Sequence, residues 1–254
     1  MIACSRKRDQ DMTRRFVYIL LMLLLLIGLT VSNRSNHKVI ATSGAEMVAL
    51  HTQEVFNIKQ HEGSLQIRYL HLEADQKSGD AIFIRSPDGK NMLIDAGMVD
   101  TGKQLDRYLD QLSVEKIDYA IATHPHHDHI GGYHTVLQSR EVGQMLMPNL
   151  PHRTEVYSTF LKKMADENIE PTYVKDGDRF KLGKDVEVEI ISPSEGAIEK
   201  GRKGKKLATS DINDLSVVLK VSYQNHSFLF TSDIYKKQEK KLVHLKKDVL
   251  DVDV

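Results

Sequence analysis

The chain has 254 residues, of which 41% are hydrophobic and 28% are charged, a composition typical of a globular protein with a sizeable core. Basic and acidic residues number 35 each, so the net charge is zero, which excludes a globally basic nucleic-acid-binding protein and leaves only a local basic patch for such contacts. Cys4 is the one cysteine, which excludes an intrachain disulfide.

The first 33 residues predict a targeting segment. Two arginines precede 16 uncharged, mostly apolar residues at 16–31. As a helix this run would span about 24 Å, which is short of the ~30 Å hydrocarbon core, so residues 1–33 fit a signal peptide or a short signal anchor. Met12 is an alternative start. We expect export across the cytoplasmic membrane, with the domain secreted or anchored outside, because basic flanks stay cytoplasmic. Residues 34–63 are polar and predict a linker.

From residue 64 to residue 254, strand and helix patterns alternate. The predicted strands cover residues 65–72, 80–85, 91–95, 117–123, 144–149, 186–192, 216–223 and 226–233. The predicted helices cover residues 103–112, a short segment from Gly131, 153–169 and 234–247. We expect hairpins at residues 87–89 and 224–225, a long polar loop at 196–214, and the start of another strand at 248–254. This order predicts a mixed α/β domain in which helices cover the sheets.

Four of the chain's twelve histidines follow the apolar strand that ends at residue 123. His124, His126, Asp128 and His129 have the spacing H-x-H-x-D-H. Neutral imidazoles bind zinc and similar ions, so we expect His124 and His126 on one ion and Asp128 and His129 on a neighbour. Two ions about 3.5–4 Å apart would share and activate one water. The alternative is a surface histidine cluster without a role, and we assign no ligand role to His127.

The stretch THPHHDHIGG resembles the signature of the metallo-β-lactamase superfamily, and LIDAG and FTSD resemble two further motifs of that superfamily. The resemblance covers about residues 65–254. It is closest to the branch that includes the extracellular domain of the DNA-uptake competence protein ComEC. It implies an αββα sandwich of two mixed β-sheets covered by helices. Asp95 would support the metal-binding loop and Asp233 would bridge both ions, although Ser232 stands where the motif usually has glycine.

The same resemblance implies that Asp80, Asn213 and Ser216 line the active cleft. Lys203 and Lys205 belong to the basic run EKGRKGKK, which would contact phosphates or would form a solvated loop. One or two divalent ions, zinc or manganese, are the expected cofactor. The expected substrate is single-stranded DNA or another phosphodiester, and no obligate protein partner is inferred.

The resemblance implies a hydrolase in which a metal-bound water, with its pKa lowered towards ~7, supplies hydroxide. Asp128 would be catalytic by orienting that water or accepting its proton. One alternative is a hydrolase of a small ester, thioester or lactam. Another is an inactive remnant, because residues 142–210 offer only His152 for the superfamily's third histidine ligand, and no histidine pair follows residue 248. We therefore expect an incomplete C-terminus.

Overall fold

A computed structural model describes residues 56–57, 59–74, 79–203 and 207–254. The predicted targeting segment, most of the predicted linker and Lys205 lie outside these ranges. Among the helices within them, none combines the length and the apolar character needed to cross a membrane.

The secondary structure of the described residues alternates between strands and helices after a 3₁₀ turn at Lys59–His61. Its ten strands are β1 (Gln66–Tyr69), β2 (Ile82–Arg85), β3 (Asn91–Ile94), β4 (Lys116–Ile121), β5 (Glu141–Met147), β6 (Pro171–Tyr173), β7 (Arg179–Leu182), β8 (Val186–Ser192), β9 (Val218–Tyr223) and β10 (His226–Phe230). Its seven helices are α1 (Gly102–Gln111), α2 (His127–Ile130), α3 (Tyr133–Ser139), α4 (Glu155–Asp166), α5 (Glu195–Lys203), α6 (Thr209–Asn213) and α7 (Lys236–Lys246).

The strands form two sheets. The first has the order β1-β2-β3-β4-β5-β6, in which β1 to β3 are antiparallel and β3 to β6 are parallel. The second is antiparallel, with the order β10-β9-β8-β7. The predicted hairpin at Gln224 and Asn225 is confirmed, because Tyr223 pairs with His226 across it.

The core has three layers, and alternate residues of β3 show how they are divided. Leu93 packs with residues of α1, α3 and α4, whereas Met92 and Ile94 pack between the two sheets. On the far side of the second sheet, Val218 packs against Leu242 of α7. Because side chains alternate across a strand, one sheet contributes to two of these layers. The expected αββα sandwich of two sheets covered by helices is confirmed, but only the first sheet is mixed, because every strand pair of the second sheet is antiparallel.

Two helices illustrate why their sequences fold as predicted. In α1, Leu105 and Leu109 are fully buried and lie one turn apart on the same face. Before α4, the Thr154 hydroxyl accepts a hydrogen bond from the Tyr157 backbone N–H at 3.3 Å, which caps the helix. Burying a large apolar side chain such as Leu105 contributes about 1.5–3 kcal/mol.

The polar loop predicted at residues 196–214 is wrong, because this segment forms most of α5 and all of α6. In α5 only Ile198 and Gly201 are buried, so the apolar periodicity is too sparse to indicate a helix. The predicted strand after residue 248 is not regular. Its last residue nevertheless reaches the edge of β10, where the Leu229 N–H donates to the Val254 carbonyl at 2.8 Å.

Candidate metal centre

The topology brings three chain segments to one place. Strands β3 and β4 are parallel neighbours, so the residues that follow them, Asp95 and Thr123, lie at the same sheet edge. The second sheet reaches this edge where the Val217 N–H donates to the Thr123 carbonyl at 2.9 Å. Asp233 arrives there after β10. The sheet edge therefore collects polar side chains that are far apart in the sequence.

The histidine motif is partly helical rather than a loop throughout. The His126 carbonyl accepts hydrogen bonds from the N–H groups of His129 and Ile130, both at 3.1 Å, at the start of α2. This turn buries Asp128 and His129 and leaves the His127 side chain exposed. The helical turn thus directs two consecutive motif residues into the site.

The five predicted metal ligands lie in one cluster. Ligand atoms of His124, His129 and Asp233 all fall within 4.8 Å of one another. The His126 ring centroid is 4.6 Å from that of His124, and Asp128 Oδ2 is 3.6 Å from His129 Nε2. The tightest group thus contains Asp233 together with one histidine from each of the two predicted ligand pairs, His124–His126 and Asp128–His129. Their assignment as ligands stays a prediction.

Asp95 positions this cluster through buried hydrogen bonds. Its Oδ1 accepts a hydrogen bond from the Thr123 N–H at 2.8 Å, and its Oδ2 accepts one from the Thr123 hydroxyl at 2.7 Å. Oδ2 also lies 2.7 Å from His129 Nδ1. Burial raises the pKa of Asp95, while the positive charge on His129 opposes this shift. The carboxylate therefore fixes both the residue that begins the motif and the orientation of a candidate ligand.

The charges around His129 favour its protonation in the metal-free protein. Burial lowers the pKa of His129, but Asp95 and then Asp233 outweigh burial and raise it to about 10. Asp233 Oδ2 lies 3.5 Å from His129 Nε2, on the side opposite to Asp95. A metal ligand must be deprotonated, so an ion that binds here would take the place of this proton.

The donor set fits a divalent ion. Imidazole nitrogens and carboxylate oxygens are the ligands that such ions take in proteins. Beside them, the Asn213 amide N–H faces Asp233 Oδ2 at 3.5 Å, while the buried Asn213 Oδ1 accepts no hydrogen bond from the described residues. A buried oxygen in this position is satisfied when an ion or its water shell is bound.

The backbone conformation and the hydrogen bond of Ser232 show how serine can stand where the motif usually has glycine. Its φ of 50° lies in the left-handed region, which favours glycine and which other residues adopt at a cost. Its hydroxyl donates to the Thr123 hydroxyl at 2.8 Å, so the side chain ties the turn after β10 to the start of the histidine motif. This hydrogen bond offsets part of the backbone strain.

The cluster opens into a cleft of about 710 Å³. The residues that line it are His126, His127, Asp128, Pro151, His152, Arg153, Thr154, Gly201, Arg202, Leu207, Thr209, Ile212, Asn213, Asp233 and Tyr235. They come from the histidine motif, the loop before α4, the α5–α6 region and the turn after β10. A cleft of this size is ordinary for a ligand site, about 300–1,000 Å³.

The predicted substrate-binding residues are distributed differently. Asn213 lines the cleft, whereas Ser216 is 0% exposed and does not line it. Asp80 lines a separate pocket of about 200 Å³ beside Asp95. Lys203 is exposed outside the cleft and forms an ion pair with Glu199 at 3.3 Å. Ser216, Asp80 and Lys203 thus do not line this cleft, and their role in substrate binding stays a prediction.

Two cleft residues, Arg153 and Tyr235, were not singled out by the sequence, because they belong to no recognisable motif. Arg202 belongs to the basic run, and His152 is the histidine considered for the third ligand. The His152 ring centroid lies 5.7 Å from that of His126. Burial lowers the pKa of His126, and the neighbouring His152 lowers it further. These side chains reach the cleft only through the packing of α4, α5 and α7.

The close approach of the motif to the β3 loop depends on Gly132. A Cβ atom there would lie 1.9 Å from the Ala96 carbonyl oxygen. We expect Gly132→Ala to lower the free energy of unfolding by about 1–3 kcal/mol, since the backbone has to shift. Gly196→Ala in α5 is the matched control, because its Cβ would meet nothing within 4 Å. Urea unfolding measures both variants, and equal stabilities would contradict the steric explanation.

Comparisons with known proteins place the chain in a family. Residues 74–252 match the sequence model of the metallo-beta-lactamase superfamily. ComE operon protein 3 of Bacillus subtilis (strain 168) is 22% identical over 262 residues, which cover 93% of this chain and 31% of that protein. The chain thus spans less than a third of that relative's length.

Solved structures with a similar fold include a metallo-beta-lactamase from Cronobacter sakazakii that carries a mutated HARLDQ motif. It is 16% identical, with a TM-score of 0.42 over 65% of this chain and 60% of that one. CmlA, a diiron beta-hydroxylase from Streptomyces venezuelae, is also 16% identical, with a TM-score of 0.44 over 80% of this chain and 38% of that one. The family match extends over most of the chain, which therefore belongs to the metallo-beta-lactamase superfamily, a membership that implies divalent metal binding.

Proposed function

We propose that this chain is a divalent-metal-dependent hydrolase of phosphodiesters, with single-stranded nucleic acid as its substrate class. The observation that carries the proposal is the distribution of charge in the cleft. Asp128 and Asp233 are the acidic residues that line it, and both belong to the ligand cluster. Arg153 and Arg202 also line it, so the charge outside the cluster is positive. Such a cleft suits an anionic ester better than a neutral one.

His124, His126, Asp128, His129 and Asp233 would hold one or two ions, with zinc favoured by the imidazoles and manganese by the carboxylates. A divalent ion bound there acts as a Lewis acid and lowers the pKa of a coordinated water. Asp95 and Thr123 keep the His129 ring in place through hydrogen bonds of 2.7–2.8 Å. The buried Asp128 carboxylate, 3.6 Å from His129 Nε2, would orient the attacking water and accept its proton.

The resemblance to the superfamily branch that includes the DNA-uptake protein ComEC also supports a nucleic-acid substrate. It concerns only part of that relative's length, so it supplies a substrate class to test.

The test compares substrates and variants of the purified full chain. We expect hydrolysis of bis(4-nitrophenyl) phosphate and of a single-stranded oligonucleotide with added zinc or manganese, and its loss with a chelator. Asp128→Ala should remove turnover without changing the circular dichroism spectrum. Equal rates for both proteins would contradict the role of Asp128. Hydrolysis of a chromogenic lactam or a thioester, with no phosphodiester turnover, would replace the proposed substrate class.

A further inference from the structure

Two arginines and one tyrosine line the cleft beside the ligand cluster. Arg153 lies in the loop before α4, Arg202 lies in the last turn of α5, and Tyr235 caps α7. All three are exposed, and Tyr235 retains 48% of its accessible surface. Three separate elements thus present two cations and one aromatic ring to the same cleft.

The two arginines are not used to hold the fold together. Of the seven arginines among the described residues, Arg68, Arg85, Arg140 and Arg179 donate hydrogen bonds to other protein groups. Within the same ranges, the Arg153 and Arg202 side chains make neither a hydrogen bond nor an ion pair. Their guanidinium groups are therefore available to an external anion, and the planar fork suits phosphate oxygens.

The position of Arg153 argues against a purely structural role. It directly precedes Thr154, the N-cap of α4, where the helix dipole disfavours a positive charge. Arg202 stands near the C-terminus of α5, where the dipole favours a cation, so the fold alone could explain its charge. Arg153 has no such explanation within its own helix.

Tyr235 adds an aromatic face. Its backbone N–H donates to Asp214 Oδ1 at 3.0 Å, which fixes the residue at the start of α7 while its side chain lines the cleft. Aromatic rings beside a cationic groove are the combination with which proteins hold single-stranded nucleic acid, because every base can stack and every linkage carries a charge.

We propose that Arg153, Arg202 and Tyr235 form a single-strand-binding surface, in which the arginines contact phosphates next to the one that is cleaved and Tyr235 stacks on a base. This inference rests on the proposed function and extends it to a chain of several linked nucleotides. We expect a single strand to bind in preference to duplex DNA, because the buried Asp128 lines the cleft and a stiff double helix does not fold its backbone into it.

The test measures binding of the full chain, with manganese present, to a fluorescent 12-nucleotide strand with phosphorothioate linkages, which slow hydrolysis. We expect Arg153→Ala and Arg202→Ala each to weaken binding about 5- to 20-fold and to reduce the slope of log K against log salt by about 0.7. Tyr235→Ala should weaken binding about 5- to 150-fold and leave the slope unchanged, since it removes stacking and no charge. Tyr235→Phe should retain binding.

Matched controls are available on the same domain. Arg107 in α1 is exposed and lines no part of this cleft, and its side chain makes no hydrogen bond or ion pair with the described residues. Tyr173 is 51% exposed and also lies outside the cleft. Arg107→Ala and Tyr173→Ala should bind like the unchanged protein, and a DNA strand and an RNA strand of one sequence show which sugar is preferred.

The inference is overturned if the cleft variants bind like their controls, or if a duplex binds as tightly as the single strand. The outcomes for strand binding and for turnover can be distinguished. Hydrolysis of bis(4-nitrophenyl) phosphate without strand binding would overturn the surface and keep the proposed function. Strand binding with the expected variant effects but without turnover would keep the surface and overturn the proposed function.

Discussion

Asp95→Ala is expected to lower the free energy of unfolding by about 3–5 kcal/mol, the range observed when one partner of a buried charged pair is removed. Asp95 is buried and accepts hydrogen bonds from both donors of Thr123, the backbone N–H and the hydroxyl, and contacts the ring of His129. Without the carboxylate, these groups are left without their buried partner. In addition, the φ of Asp95 is 58°, a left-handed conformation that costs alanine about 1–2 kcal/mol.

Asp95→Asn separates the two contributions. Asparagine tolerates the left-handed region and can still accept the Thr123 N–H, so we expect a smaller loss of about 1–3 kcal/mol. Asp166→Ala, an exposed position at the end of α4, is the control and should change stability by less than about 0.5 kcal/mol. Urea unfolding of the chelator-treated proteins measures all three. Equal losses for the alanine and asparagine variants would refute the backbone explanation.

Asp233→Ala is expected to change stability little and to weaken metal binding strongly. Its side chain is 31% exposed, so its removal should cost less than about 1 kcal/mol of stability in the metal-free protein. Metal affinity should fall by more than about 100-fold, because even residues that only orient the ligands contribute 10- to 100-fold. Hydrolysis should fall with it. Calorimetric titration with manganese or zinc gives the affinity and the number of ions bound.

Asp233→Asn keeps the shape and removes the charge, so its affinity should lie between those of the alanine variant and the unchanged protein. Asp166→Ala serves again as the control for a lost carboxylate. An Asp233→Ala protein that binds the same number of ions with unchanged affinity would show that Asp233 is not a ligand. The two aspartates are thus expected to differ in effect: Asp95 contributes mainly to stability and Asp233 mainly to metal binding.

Much of the fold follows from local sequence patterns. The alternation of apolar residues in β8 to β10 and the leucine face of α1 predict their elements, because burial requires a period of two or 3.6 residues. Helix α5 was missed because it buries only Ile198 and Gly201. A helix held by a few contacts within a charged segment carries too weak a periodic signal to be recognised.

The sequence by itself determined the family and the identity of the candidate ligands, since the H-x-H-x-D-H spacing places imidazoles and a carboxylate in one short segment whatever surrounds it. Only the tertiary structure decided what that segment meets. Parallel pairing of β3 with β4 sets Asp95 beneath His129, and the second sheet delivers Asp233 to its other side. Helix packing alone brings Arg153, Arg202 and Tyr235 to the cleft, because contacts between distant segments leave no spacing in the sequence.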